Sequence, residues 1–94
     1  MPADVISSTL LPAQGRELIT IMDDYGTEFQ LYVSVSDSAN RQSYIDAALA
    51  QQSANQAALE AYAAQHGHDL SIQKAQGMAK KKAAMQPAGT IAIA

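Results

Sequence analysis

Polar and apolar positions alternate most regularly between residues 28 and 36. Phe29, Leu31, Val33 and Val35 fall on one parity, and Glu28, Gln30, Tyr32, Ser34 and Ser36 on the other. A period of two over that span predicts a strand with one buried face. The run Glu17-Leu18-Ile19-Thr20-Ile21-Met22 precedes it, separated by Asp23-Asp24-Tyr25-Gly26. A short polar loop with a glycine, which reaches positive φ without steric cost, predicts a β-hairpin over 17–36. Two strands alone are marginal in water, so this hairpin needs a third strand, a covering helix or another chain.

The pattern then changes period. Residues 37–66 contain no Gly or Pro and are rich in Ala. Asp37 or Ser38 can cap the first free amides, and Gly67 can end the helix in the left-handed region. Steps of four and three trace Ile45, Leu49, Gln52, Gln56, Leu59, Ala63 and His66, flanked by Tyr44, Ala48 and Tyr62. Both ends of this stripe are apolar and its middle is amide-rich. After the capping position Asp37, only Arg41, Asp46 and Glu60 are charged, so the predicted surface is neutral and small. At about 1.5 Å per residue the helix would be roughly 43 Å long. A globule of this chain length is about 30 Å across, so the helix is expected to overshoot it and pack along another copy or a larger partner.

A second, weaker helix is expected over 69–86. Asp69 is a candidate cap and Pro87 a stop, and Gly77 costs about 1 kcal/mol relative to Ala. Lys80, Lys81 and Lys82 sit near its end, where cations complement the macrodipole. Residues 1–16 carry Pro2, Pro12 and Gly15 without a helical period and read as an extended arm, with Pro12 restricting any sheet role to an edge. In the tail 87–94, Ile91 and Ile93 alternate with small residues, like a strand in search of an edge. The fold class expected is therefore α+β in a single small domain over 1–94: arm, hairpin, long helix, second helix, extended tail.

Composition sharpens this picture. The hydrophobic fraction is 48%, but 19 residues are Ala, 17 are Val, Ile or Leu, and Phe29 is the one Phe. Alanine buries little area, so bulky core-forming side chains are scarce. The absence of Cys removes disulfides, thiol catalysis and Cys-based zinc sites. Six basic residues against nine acidic ones argue against a general nucleic-acid binder. No apolar run is long enough for a membrane span, and Met1-Pro2-Ala3-Asp4 does not open like a signal peptide.

Chemistry-bearing clusters are few. His66-Gly67-His68-Asp69 has metal-ligand residue types, but these are the only histidines. It reads as a helix stop and the next cap. Asp23-Asp24-Tyr25-Gly26-Thr27-Glu28 lacks the spacing of an EF-hand loop and reads as a turn with solvated acids. Lys80-Lys81-Lys82 reads as a helix-end cluster, with an acidic partner surface as the alternative. Met78 and Met85, seven apart, share a helix face suited to adaptable packing. No Gly-x-Ser-x-Gly elbow or Gly-rich phosphate loop occurs, so neither an enzyme nor a cofactor or metal is expected.

The expected role is a non-enzymatic structural subunit. Small Cys-free chains of this make-up are common among the cement, neck, tail and baseplate components of tailed phages, which would place the chain in a virion. Docking is expected through Phe29, Leu31 and Val33 of the hairpin, Ile45, Leu49, Leu59 and Tyr62 of the long helix, and Ile91 and Ile93 of the tail. The partners would be other protein subunits, copies of itself or different chains, without membrane or direct nucleic-acid contact. The alternative is a cytoplasmic dimeric adaptor, antitoxin-like or chaperone-like, whose hairpin dimerises and whose Lys-bearing helix docks an acidic partner.

Overall fold

The computed structural model describes residues 2–94. Among them lie four strands, β1 (Asp4–Leu11), β2 (Arg16–Met22), β3 (Glu28–Ser34) and β4 (Ala92–Ile93). Two helices, α1 (Arg41–Gln65) and α2 (Ser71–Ala84), stand between β3 and β4. The architecture is α+β, with a sheet in the order β3-β2-β1-β4. The hairpin β2–β3 forms in unbroken antiparallel register, Arg16 opposite Ser34 and Met22 opposite Glu28. Gly26 turns it at φ +77°.

The N-terminal segment departs from the expected arm. β1 is an interior strand, antiparallel to β2 on one side and parallel to β4 on the other. Pro12 does not limit this, because it lies after the strand in a 3-10 turn (Pro12–Gln14) that Gly15 closes at φ +62°. The register slips between Val5 and Ser7. Val5, Ser8 and Leu10 therefore face the same way as Ile21, Ile19 and Glu17, and the bulge erases the period of two from the sequence.

The tail does find an edge, and it is the chain's own. The Ile6 carbonyl accepts from the Gln86 amide, the Ser8 amide donates to Gln86 Oε1, and the Ala94 amide donates to the Leu10 carbonyl. Neither terminal segment is a free docking arm. Both build the same sheet.

The long helix begins later than its sequence implies. Val35–Asn40 forms 3-10 turns with a kink at Asp37, and the α-helix starts at Arg41. Asp37 accepts from Asn40 Nδ2 and the Tyr44 hydroxyl instead of capping a backbone amide. Ile45 packs with Ile19 and Val33 as the core cluster, and Val5, Leu31 and Leu49 lean against it. The buried stripe continues through Gln56 and Ala63. At about 1.5 Å per residue α1 is roughly 37 Å long. The molecule accordingly measures 48 × 23 × 19 Å.

Candidate functional site

The densest polar cluster gathers around the β2–β3 turn. Asp23 and Asp24, expected as solvated acids, are both buried. Asp23 Oδ1 accepts from the amides of Tyr25 and Thr27, which shapes the turn locally. Asp24 is held from outside it. Its amide donates to Gln56 Oε1 at 3.0 Å, and its Oδ2 accepts from Gln56 Nε2 at 3.0 Å. Its Oδ1 accepts from Lys81 Nζ at 2.6 Å.

Lys81 completes the cluster. Its ammonium also donates to the Pro2 carbonyl at 2.7 Å and pairs with Asp4 Oδ2 at 2.8 Å. An ammonium has three protons, and all three are used. Burial pulls the Lys81 pKa down, but the hydrogen bonds and charges of Asp24 and Asp4 outweigh it and hold it above the ordinary lysine value. Burial likewise pushes the Asp24 carboxyl up, while Gln56 and Lys81 more than reverse this and leave it lowered. A catalytic lysine needs a depressed pKa and a free lone pair. Lys81 has the opposite arrangement, so this cluster holds structure together.

Further groups fasten the same turn. The Tyr25 hydroxyl donates to Glu60 Oε2, which also pairs with Lys74 at 2.9 Å. Lys80 Nζ donates to the Gly26 carbonyl at 3.0 Å. Gly77 is buried where α2 crosses the turn, and a Cβ there would fall on the Asp24 carbonyl oxygen and the Tyr25 backbone. The mid-helix glycine that looked like a cost is the condition for this close approach. At the other end of the sheet Arg41 grips Glu17 with two hydrogen bonds, at 2.7 and 2.9 Å, and reaches Ser8 Oγ. The Arg41 hydrogen bond outweighs burial and keeps the Glu17 carboxyl below its usual range.

The residues expected to dock divide into two groups. Ile45 and Val33 are buried, and Leu31 and Leu49 are half-buried against them, so these four build the chain's own core. Phe29, Leu59, Tyr62, Ile91 and Ile93 are exposed. Tyr62 is 59% accessible and sits against the His66 ring in a tilted pair, with the ring centres 4.2 Å apart. His66 and His68 are exposed as well, and among the described residues no cluster of three metal-ligating side chains forms. Sequence reasoning missed Gln56, Gly77 and Lys81 as anchors of the turn. The signal for Gln56 was present, since it falls on the same stripe as Ile45 and Leu49. No family model, curated protein or solved structure matches the chain.

Proposed function

We propose that the protein is a non-enzymatic structural subunit of a larger protein assembly, of the kind found among the small cement, neck, tail and baseplate components of tailed-phage virions. One observation carries this reading: beyond Ile45 and Leu49, which pack on the sheet, the helices hold bulky apolar side chains on the outside. Leu59 and Tyr62, one turn apart on the distal half of α1, are exposed, as are Ile72 and Met78 of α2, with Ile72 68% accessible. Exposed bulky apolar side chains that neighbour one another on a helix, as Leu59 and Tyr62 do, mark contact sites. α1 is also far longer than the seven-residue strands β2 and β3 that it packs near. That leaves a rod of small side chains for neighbours to pack along.

The adaptor alternative has two parts, a hairpin that dimerises and the lysine run as a dock for an acidic partner, and the second is short of free cations. Lys81 is buried on Asp24 and Asp4, and Lys80 serves the Gly26 carbonyl, which leaves Lys82 alone for that task. The assembly reading is tested by density-gradient sedimentation of particles from the source. The chain should travel with assembled particles, and the double variant Leu59→Ser, Tyr62→Ser should keep its helical circular dichroism yet drop out of the particle fraction. Wild-type protein confined to the light fractions overturns the proposal.

A further inference from the structure

The two edges of the sheet are finished differently. On the β1 side the edge is closed by Gln86 and the two-residue β4. On the other side β3 ends the sheet with seven residues in regular register. That strand has no Pro, no Lys and no bulge, the usual devices that keep an edge from pairing.

The hydrogen-bond phase of this edge can be read from its ends. The Asp23 amide donates to the Thr27 carbonyl, and the Val35 amide donates to the Gly15 carbonyl. Odd residues of β3 thus bond to β2, and the N–H and C=O groups of Glu28, Gln30, Tyr32 and Ser34 point away from the sheet. We propose that this edge pairs with β3 of a second copy, antiparallel about a two-fold axis at Leu31. The inference goes beyond the assembly role and stands without it.

Register singles out this axis. Centring on Leu31 sets Glu28 opposite Ser34 and Gln30 opposite Tyr32 of the second copy, so all four outward residues of each strand are satisfied. Sliding the axis to Gln30 leaves Ser34 out, and sliding it to Tyr32 leaves Glu28 out. The side chains agree with the same choice. On the core-side face Phe29, which is 42% exposed, comes opposite Val33 of the second copy. Beside Val33 lies an open groove of about 440 Å³ that is also lined by Leu31 and Tyr44. Aromatic and β-branched residues make a favourable cross-strand pair.

Charge agrees too. Arg16 stacks its guanidinium on Tyr32 at 3.7 Å from the ring centre and hydrogen-bonds Gln14, and neither it nor Glu28 has an ion-pair partner among the described residues. Arg16, on β2, lies directly opposite Ser34 of β3 in the same copy. In the dimer, Glu28 of one copy faces Ser34 of the other, with Arg16 one strand beyond on the same face, about 10 Å away at the backbone. The small Ser34 leaves room for these two long side chains to meet, and symmetry makes the ion pair twice.

The test is sedimentation over a concentration series with wild type, Gln30→Pro and Glu28→Arg. Wild type should reach twice 9.9 kDa. Gln30→Pro removes an outward N–H that β2 does not use, so it should stay monomeric with unchanged circular dichroism. If that variant fails to fold, Glu28→Arg decides, since it sets like charges together at the exposed rim and should weaken the dimer at least tenfold, most at low salt. Because the chain has no Cys, Leu31→Cys should cross-link to itself under mild oxidation, whereas Ser34→Cys, some 20 Å from its own copy at about 3.4 Å per residue, should not. A wild type that is monomeric at several hundred micromolar overturns the proposal. So does a dimer indifferent to a folded Gln30→Pro or to Glu28→Arg, or efficient cross-linking through Ser34→Cys alone.

Discussion

Gly77→Ala sets two physical arguments against each other with opposite signs. In an isolated helix the change is worth about 1 kcal/mol of stabilisation, because Ala loses less backbone entropy than Gly. In this fold the added methyl falls on the Asp24 carbonyl oxygen and on the Tyr25 backbone. These are main-chain atoms that cannot swing aside. The turn is braced by the Asp23 carboxylate and by Gln56, and α2 is tied to it through Lys80 and Lys81. Normal contact needs roughly 3.5 Å, so the helix must retreat and stretch those hydrogen bonds. Overpacking of this kind costs about 1–3 kcal/mol, and a clash with backbone belongs at the upper end. Set against the propensity gain, the net expectation is about 2 kcal/mol of destabilisation. For a domain of this size that lowers the melting temperature by about 8–16 °C. Thermal unfolding followed by circular dichroism measures it. A variant that melts at or above the wild-type temperature shows that α2 does not press on the turn, and the fastening described above would then be wrong.

Two further substitution sets probe the same fold. Lys81→Met leaves Asp24 and Asp4 unpaired and should cost about 3 kcal/mol at neutral pH. The folded-state pKa of Asp24 is lowered, so its contribution is complete above the unfolded value near 3.9 and fades as pH falls through the folded one. Lys81 is raised, so its contribution is complete below about 10.4 and fades as pH rises past that. Urea midpoints of wild type and Lys81→Met should therefore converge as pH falls below the unfolded carboxylate value near 3.9, and a gap that widens through that fall refutes the pairing. Along α1, Ile45→Ala should cost about 2–5 kcal/mol, Leu49→Ala less, and Leu59→Ala no more than about 0.5 kcal/mol. Any other order in urea unfolding means that the helix faces the sheet differently.

What the sequence revealed follows the range of each signal. The hairpin β2–β3 was legible because alternation and turn chemistry act over a few residues, and the α1 stripe was legible through Ile45, Gln56 and Ala63 because periodicity acts over a few turns. Between Gln56 and Ala63 one step of it is displaced. Glu60, drawn in by Tyr25 and Lys74, lies partly buried where the periodic stepping placed Leu59. β1 was hidden by its bulge, which puts Val5 and Ser8 on one face and spoils the period of two. The exposed Phe29 also departs from its pattern. Parity assigns it to the core face beside Leu31 and Val33, but its strand is an edge, and burial depends on what lies beyond the strand.

The polar fastening of the turn was illegible for a different reason. Asp24 meets Gln56 at a separation of 32 residues and Lys81 at 57, so no local window contains the pair. Read locally, two acids in a turn are solvated and three lysines at a helix end serve the dipole. Each reading fails because each group supplies the other's missing partner. One clue did lie within a single helix: Gly77 and Lys81 are four apart and share a face. A glycine kept mid-helix despite its cost, one turn before a lysine, marks a face pressed against backbone that carries negative charge. The acidic surface expected in a partner protein for the lysine run is supplied, for Lys81, by this chain's own turn and first strand. Among the described residues, apolar side chains on the helices and the outward main-chain groups of β3 stand open. On the proposed reading such a surface would meet other proteins by shape and by strand pairing, with charge acting at the rim of the edge.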